Sequence, residues 1–425
     1  VSEPVPRRIV VAIVALTITG ITTNTLLGPA IPELLDEFGA PDGAAGFVIA
    51  AGSVPGIVIA PLIGFLADRF GRREVIVPCL VLFGVAGGLA GLAPSLAWLI
   101  TLRAFQGAGS AGLINLAITV IGDNWSGSAR ATMIGRNSAL LTTSIAVLPF
   151  IGGVLVEFGG WRSVFAVYPV GLLTAAAVWR LLPRGERRDV NVASQFADVR
   201  PALVKPAYVA TALATIISFA LIFSFLLTIL PVFADRVLGL SPTLRGVLLG
   251  LPAVGSTTGA LLTGRLTTRF GRRRTLVASA VLYAAGLLVL AGVPTLPGVV
   301  LGVIVFGLGE GLSIPALQDA AAGSGSDEQR GTLVAVQVGM ARTGQSIGPL
   351  ALAPLVGPIG YAATYVLGAV LAAGPLLWLS TRTPPSRGEL DRAEAAARDA
   401  AAPAATPEPT PLPEQPEQRS NDEHP

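Results

Sequence analysis

Apolar residues in this chain fill whole stretches instead of alternating or recurring on one helical face. Twelve such stretches lie at 9–28, 44–66, 75–93, 96–119, 132–155, 161–181, 208–230, 243–264, 275–293, 296–318, 332–355 and 361–380. A helix rising 1.5 Å per residue needs roughly 20 apolar residues to cross a hydrocarbon core about 30 Å thick. Each stretch is near that length, and polar residues cluster between them. The pattern predicts an all-α membrane protein with twelve transmembrane helices. The first run is read as a span and not as a cleaved leader: its apolar region is too long, and eleven more follow.

The pattern is written twice. From residue 62 the chain reads LIGFLADRFGRR, and from 262 it reads LTGRLTTRFGRR; eight of these twelve positions are identical. At the same offset of 200, Gly107 and Gly109 match Gly307 and Gly309, Arg130 and Thr132 match Arg330 and Thr332, and Pro149 matches Pro349. Asp36 meets Asp235 at an offset of 199. A constant offset over many motifs predicts two pseudo-symmetric six-helix bundles, the repeat pattern of secondary transporters. The expected divisions are a first bundle over 1–182, a polar linker over 183–206, a second bundle over 207–381 and a disordered Pro- and Ala-rich tail over 382–425.

Composition agrees with the membrane reading. Hydrophobic residues make up 52% and charged residues 13% of the 425-residue chain, about half the charge of an average soluble domain, and mean hydropathy is +0.69. Membrane helices tolerate the 50 glycines and 33 prolines better than soluble ones do. Arginines gather at 7–8, 69–73, 180–205 and 265–274, all at one end of the spans, with the tail. The positive-inside rule makes this Arg-rich end, with both termini, cytoplasmic. The net charge of +3 is then explained by loop arginines without a nucleic-acid partner. Lys205 is the single lysine, which suggests a bacterial source and a bacterial cytoplasmic membrane.

The spans offer one cysteine, Cys79, and no histidine, so metal chemistry has no ligand set. No G-x-x-x-x-G-K-[ST] loop is present, so nucleotide does not drive the protein directly. Neither enzyme activity nor a cofactor is expected.

The loop after the second span reads Gly64-Phe-Leu-Ala-Asp68-Arg69-Phe-Gly71-Arg72-Arg73. Gly64 can let helices approach, Gly71 permits a tight turn, and Arg72 and Arg73 suit a cytoplasmic anchor. Asp68 adds nothing to such an anchor. The segment resembles the signature G-x-L-A-D-x-x-G-R-[KR] of the major facilitator superfamily, and with the twelve-span repeat the resemblance covers about residues 7–381. It implies the major facilitator fold and a latch role for Asp68 between helices. Arg103-Ala-Phe-Gln106-Gly107 is similar to the family's R-x-x-[QG]-G motif, whose arginine is linked with proton transfer. In the fifth span, Pro149, Gly152 and Gly153 keep the end of the glycine-rich antiporter pattern, while Leu140, Ser144 and Leu148 depart from it; Gly344, Gly348 and Pro349 supply a fuller fragment in the eleventh span. Close packing and a proline kink would explain these residues equally.

Polar residues inside the spans mark a candidate cavity. Arg103, Gln106 and Ser110 share one helical stripe, and Thr17, Thr23 and Asn24 recur at helical spacing in the first span. Glu310 and Arg342 interrupt the tenth and eleventh spans at similar depth, with Ser110 and Thr142 at the matching positions of the first half; Gln345 follows one turn after Arg342. A charge there costs about 2.5–3.5 kcal/mol on insertion scales. Two readings are open: Glu310 and Arg342 form a fixed ion pair, or Glu310 carries a coupling proton tuned by Arg342. Without an acid in the first span, the cavity should favour neutral, zwitterionic or anionic molecules over lipophilic cations.

The expectation is a monomeric secondary transporter in a lipid bilayer, resembling drug:proton antiporters, that exports small molecules with the proton gradient as energy source. A symporter or uniporter for uptake is the alternative within the class; a transporter-like sensor is the alternative outside it.

Overall fold

The computed structural model describes residues 7–184, 199–326 and 329–385, so most of the expected linker and all of the tail beyond Pro385, with its possible helix near 388–400, lie outside the described residues. The long elements are helices: α1 (Arg7–Glu37), α2 (Asp42–Phe70), α3 (Arg72–Ala90), α4 (Leu96–Asn124), α5 (Gly127–Gly159), α6 (Arg162–Leu181), α7 (Pro206–Arg236), α8 (Pro242–Phe270), α9 (Arg272–Gly292) and α10 (Leu296–Ala322). A last helical run, Arg330–Arg382, has 53 residues, or about 80 Å of helix, far too long for one crossing. It breaks at Gly360, where φ is 77° and ψ is 170°. We therefore number its parts α11 (330–359) and α12 (361–382), which gives twelve crossings.

The breaks themselves are duplicated. Positive φ occurs at Gly39 and Gly239, at Gly71 and Gly271, and at Gly160 and Gly360, three pairs separated by 200 residues. A side chain would clash with the backbone in this region, so each position needs glycine. Gly71 (φ 106°) and Gly271 (φ 90°) form the entire connection between adjacent long helices, as the RFGRR phrase predicts.

Helices in lipid gain no hydrophobic drive toward each other, and they approach closely where small residues bare the backbone. Within the second bundle, Gly255 and Gly259 of α8 face the α10 carbonyls of Ile304 and Leu308, while Gly307 and Gly311 of α10 face the α8 carbonyls of Pro252 and Ser256. Gly344 and Gly348 seat α11 on Ile216 and Ala220 of α7. The bundles, α1–α6 and α7–α12, meet along two seams, α2 with α11 and α5 with α8. Gly46 lies against the carbonyl of Pro349, and Gly246 against the carbonyl of Pro149. Duplication exchanges these contacts: 46 maps onto 246 and 149 onto 349. Gly153 likewise faces Pro242 and Thr243 of α8, while Gly43 faces Pro354. Gly152 instead fits α5 onto Leu26 of α1.

These contacts lie in the seam halves remote from the Arg-rich end. In the near halves, Gly64 (α2), Gly135 (α5), Gly264 (α8) and Gly331 and Gly339 (α11) each have open space where a Cβ would point. Gly64 thus does not bring two helices together here, contrary to the expectation from its motif. The seams close at the far end and part at the Arg-rich end, which removes its neighbour.

A Cβ at Gly246 would lie 2.9 Å from Phe150 Cα as well as against the Pro149 carbonyl. Gly246→Ala should therefore lower the thermal unfolding midpoint in detergent, by the equivalent of about 1–3 kcal/mol for an overpacked contact. Gly64→Ala should leave it unchanged. Equal midpoints for the two variants would remove the α5–α8 contact from this account.

Candidate functional site

The first bundle builds a polar layer around Arg103. Its side chain is fully buried (0% exposed). One terminal nitrogen donates to Gln106 Oε1 at 2.7 Å and the other to Asn24 Oδ1 at 2.6 Å, while Asn24 Nδ2 donates to Ser53 Oγ at 3.2 Å. No carboxylate lies within ion-pair distance of Arg103 among the described residues. Amide oxygens from α1 and α4 therefore carry the compensation that a buried charge requires. Gly52 and Gly107 make room for it: a Cβ at Gly52 would lie 2.7 Å from the Arg103 guanidinium, and one at Gly107 would lie 2.5 Å from the Gly52 carbonyl. Thr17 donates to Asn137 Oδ1 of α5 at 2.6 Å. The side chains of Thr23 and Ser110 donate to carbonyls of their own helices, at Gly20 and Gly107, and Thr142 donates to the Ser138 carbonyl in α5.

The second bundle differs. Glu310 and Arg342 are each twelve residues from the Arg-rich end of their helices, about 18 Å in depth, yet they form no ion pair. Glu310 makes no side-chain hydrogen bond or ion pair among the described residues and lies in electrostatic reach of Tyr283 of α9. Arg342 turns the other way, toward Gly56 of α2, and donates to Gln345 Oε1 at 3.1 Å. Equal depth fixes height but not rotation about the helix axis, and the two side chains leave adjacent helices in different directions. Of the two open readings, the fixed Glu310–Arg342 ion pair is absent here.

The far end carries a cluster that ties the bundles together. Arg245 of α8, 1% exposed, pairs with Glu33 of α1 and lies 3.2 Å from Asp235 of α7. Arg236 pairs with Asp36 of α1 and reaches Asp42 at 3.3 Å and Asp235 at 3.1 Å. Asp36 and Asp235, the repeat-related acids, thus converge on one arginine. Tyr361 donates to Asp42 at 2.7 Å, and Glu157 of α5 accepts from Ser241 Oγ at 3.2 Å and the Thr243 amide at 3.0 Å. The Asp36–Asp235 repeat match and charge near the span ends are the sequence signals for these residues. Arg245 lies inside an apolar run and belongs to none of the quoted motifs; Asn137 and Ser53 had no signal beyond being polar in a span.

Among the described residues, Arg72 and Arg272 at the Arg-rich end pair with acids of their own half. Arg72 bridges Asp68 (2.5 Å) and Asp123 of α4 (3.1 Å). Its repeat mate Arg272 pairs with Asp319 of α10 and donates to the carbonyl of Pro384 at 3.0 Å. Thr268, which stands where Asp68 would repeat, donates to its own helix at the Gly264 carbonyl. Arg73 stacks on Trp179 of α6, 4.0 Å from the ring centre, and Arg69 lies over Phe70. Asp68, Arg72 and Asp123 border a cavity of about 210 Å³ with Asn124 and Arg184.

The sequence pattern described as Major Facilitator Superfamily matches residues 13–249 and again 235–415, spanning both halves. The chain belongs to the Major Facilitator Superfamily. Its members are transporters and not enzymes. The multidrug transporter protein MdtP of Bacillus subtilis is 32% identical over 158 residues, 37% of this chain and 29% of that protein. Multidrug resistance protein 1 of Bacillus subtilis is 24% identical over 313 residues, 71% of this chain and 80% of its own length. Against several other such relatives the chain spans about a third of their length. A bacterial homologue of the human lysosomal transporter Spinster, solved inward-facing and unoccupied, superposes with a TM-score of 0.74 at 19% identity, covering 90% of this chain and 98% of that one. The likeness shows the fold.

Replacing Arg245 by methionine leaves Glu33 unpaired and removes one tie across the seam. Deleting one partner of a buried pair costs about 3–5 kcal/mol, less here because Glu33 is 32% exposed. A cysteine at Leu249, which packs on Gly28 across the seam, should then react with an impermeant maleimide from the far side at least roughly tenfold faster, tenfold being about 1.4 kcal/mol. The measurement uses Leu249→Cys in a Cys79→Ala background, with and without Arg245→Met. An unchanged rate would mean that the ion pairs do not hold this end shut.

Proposed function

We propose that this transporter exports small organic molecules, drug-like or metabolite-like, in exchange for protons, from the cytoplasmic side of a bacterial membrane. The carrying observation is Glu310: an intramembrane acid with no ion-pair partner, set near mid-depth between a closed far end and a parted Arg-rich end. A carboxylate in that position is costly when charged, and taking a proton removes the cost. Proton occupancy and conformation are then linked, which is what coupled exchange requires. The multidrug relatives support export as the direction.

In this reading the Arg-rich end is cytoplasmic, and the structure is the state that receives cargo from inside. Opening outward breaks the ties of Arg236 and Arg245 and closes the near halves of α2, α5, α8 and α11. Asp68, now held by Arg72 in its own bundle, serves as the latch in that opposite state, with Gly64, Gly71, Arg69 and Arg73 shaping the turn that presents it. Arg103 holds Asn24 and Gln106 inside the first bundle, so its contribution to coupling is indirect.

Everted membrane vesicles with an imposed pH gradient, acid inside, test the assignment with a panel of fluorescent drug-like molecules. Wild type should concentrate at least one of them in the lumen. Glu310→Gln should lose concentration against a gradient yet still exchange labelled for unlabelled molecule. If Glu310→Gln concentrates cargo as well as wild type, the proton site lies elsewhere. Accumulation only in right-side-out vesicles with acid outside would replace export by uptake.

A further inference from the structure

Arg103 inside the first bundle and the far-end arginines Arg245 and Arg236 are all engaged. Arg103 has both terminal nitrogens on amide oxygens at 2.6–2.7 Å, and Arg245 and Arg236 have carboxylates. Arg342 differs. It is half-buried, no carboxylate lies within ion-pair distance among the described residues, and its one side-chain hydrogen bond goes to Gln345. A guanidinium offers five donors in a planar fork, so most of this one is unfilled. The position is also unlike that of a snorkelling side chain. Arg342 is about 18 Å from the near end of its helix, and its stem lies along the α2–α11 seam. A Cβ at Gly56 would be 3.5 Å from its Cδ and 3.7 Å from its Nε. Gly56 is fourteen residues from either end of α2, the middle of that helix. The guanidinium therefore sits at mid-depth between the bundles, against bare backbone of the opposite one.

The approach to it is open and apolar. One turn and two turns nearer the Arg-rich end, on the same stripe of α11, stand Val338, Gly339 and the exposed Ala335. Gly339 has nothing within 4 Å of where a Cβ would point. A charged fork with unused donors at the head of a small-residue apolar path has one chemical complement: an anionic head on an apolar body.

We propose that Arg342 receives an anionic group of the cargo, with Gln345 fixing the orientation of the fork, so that the preferred substrates are amphipathic organic acids with a carboxylate or a similar oxyanion. The planar fork suits a carboxylate bidentately, which a lysine ammonium cannot match. This deepens the export reading, since it names the cargo for the same cavity, and it removes Arg342 from the tuning of Glu310. The two arginines then have separate tasks: Arg103 is closed on its own neighbours and holds the first bundle's polar layer, while Arg342 stays available.

The test is a binding measurement without any pH gradient, so that it stands apart from proton coupling. Full-length protein in detergent is titrated with a panel of medium-chain alkyl and naphthyl carboxylates, each beside its neutral carboxamide, and thermal stabilisation is read. At least one carboxylate should bind about tenfold or more tighter than its amide, as expected for a charge-assisted hydrogen bond. Arg342→Gln should abolish that preference while leaving amide binding in place, and Arg342→Lys should recover part of it. Glu310→Gln should keep the preference; if it does while losing coupled transport in vesicles, the two assignments are confirmed separately. Wild-type protein with no carboxylate preference across the panel, or Arg342→Gln with the preference intact, would overturn the proposal. The wild-type comparison decides even if the arginine variants do not fold.

Discussion

Backbone against backbone is the contact on which this architecture rests. Gly46 on the Pro349 carbonyl and Gly246 on the Pro149 carbonyl are one interaction written twice, and between them they close both seams at the far end. In lipid there is no hydrophobic force to draw two bundles together, so dispersion and dipole contact at closest approach must supply the attraction. Such contact is short-ranged. It is either made or lost, which lets a seam act as a two-state element instead of a continuously deformable one. The ion pairs of Arg236 and Arg245 sit above these contacts and add a charge-based tie that water can replace when the end opens.

Much of this was legible in the chain because the membrane constrains it so strongly. Apolar length alone gave twelve crossings, and the one discrepancy, an unbroken helical run from Arg330 to Arg382, dissolves at Gly360. The RFGRR phrase gave the turns at Gly71 and Gly271, since only glycine suits their positive φ. Helix ends were read less well. The first apolar run ends at residue 28, but α1 continues to Glu37, where Glu33 and Asp36 meet arginines of the other bundle.

What could not be read is rotation and partnership. Glu310 and Arg342 share a depth, and sequence spacing reports depth; which way each faces depends on packing by residues far away in the chain. Gly46 and Gly246 are two among 50 glycines, and nothing local separates a seam glycine from one in open space such as Gly64. Arg245 looks from sequence like a stray charge near a span end. Its meaning comes from Glu33, 212 residues earlier, which topology brings alongside.

The breaks between helices carry a consequence for anything that meets this protein from outside. At the far face the connections are 38–41, 91–95, 160–161, 237–241, 293–295 and the single residue Gly360, none longer than five residues. Segments this short, bound into helix ends, give proteases little slack chain to thread and antibodies little relief to grip. The helix ends at Leu181 and Arg382, and the start of α7 at Pro206, lie at the opposite face.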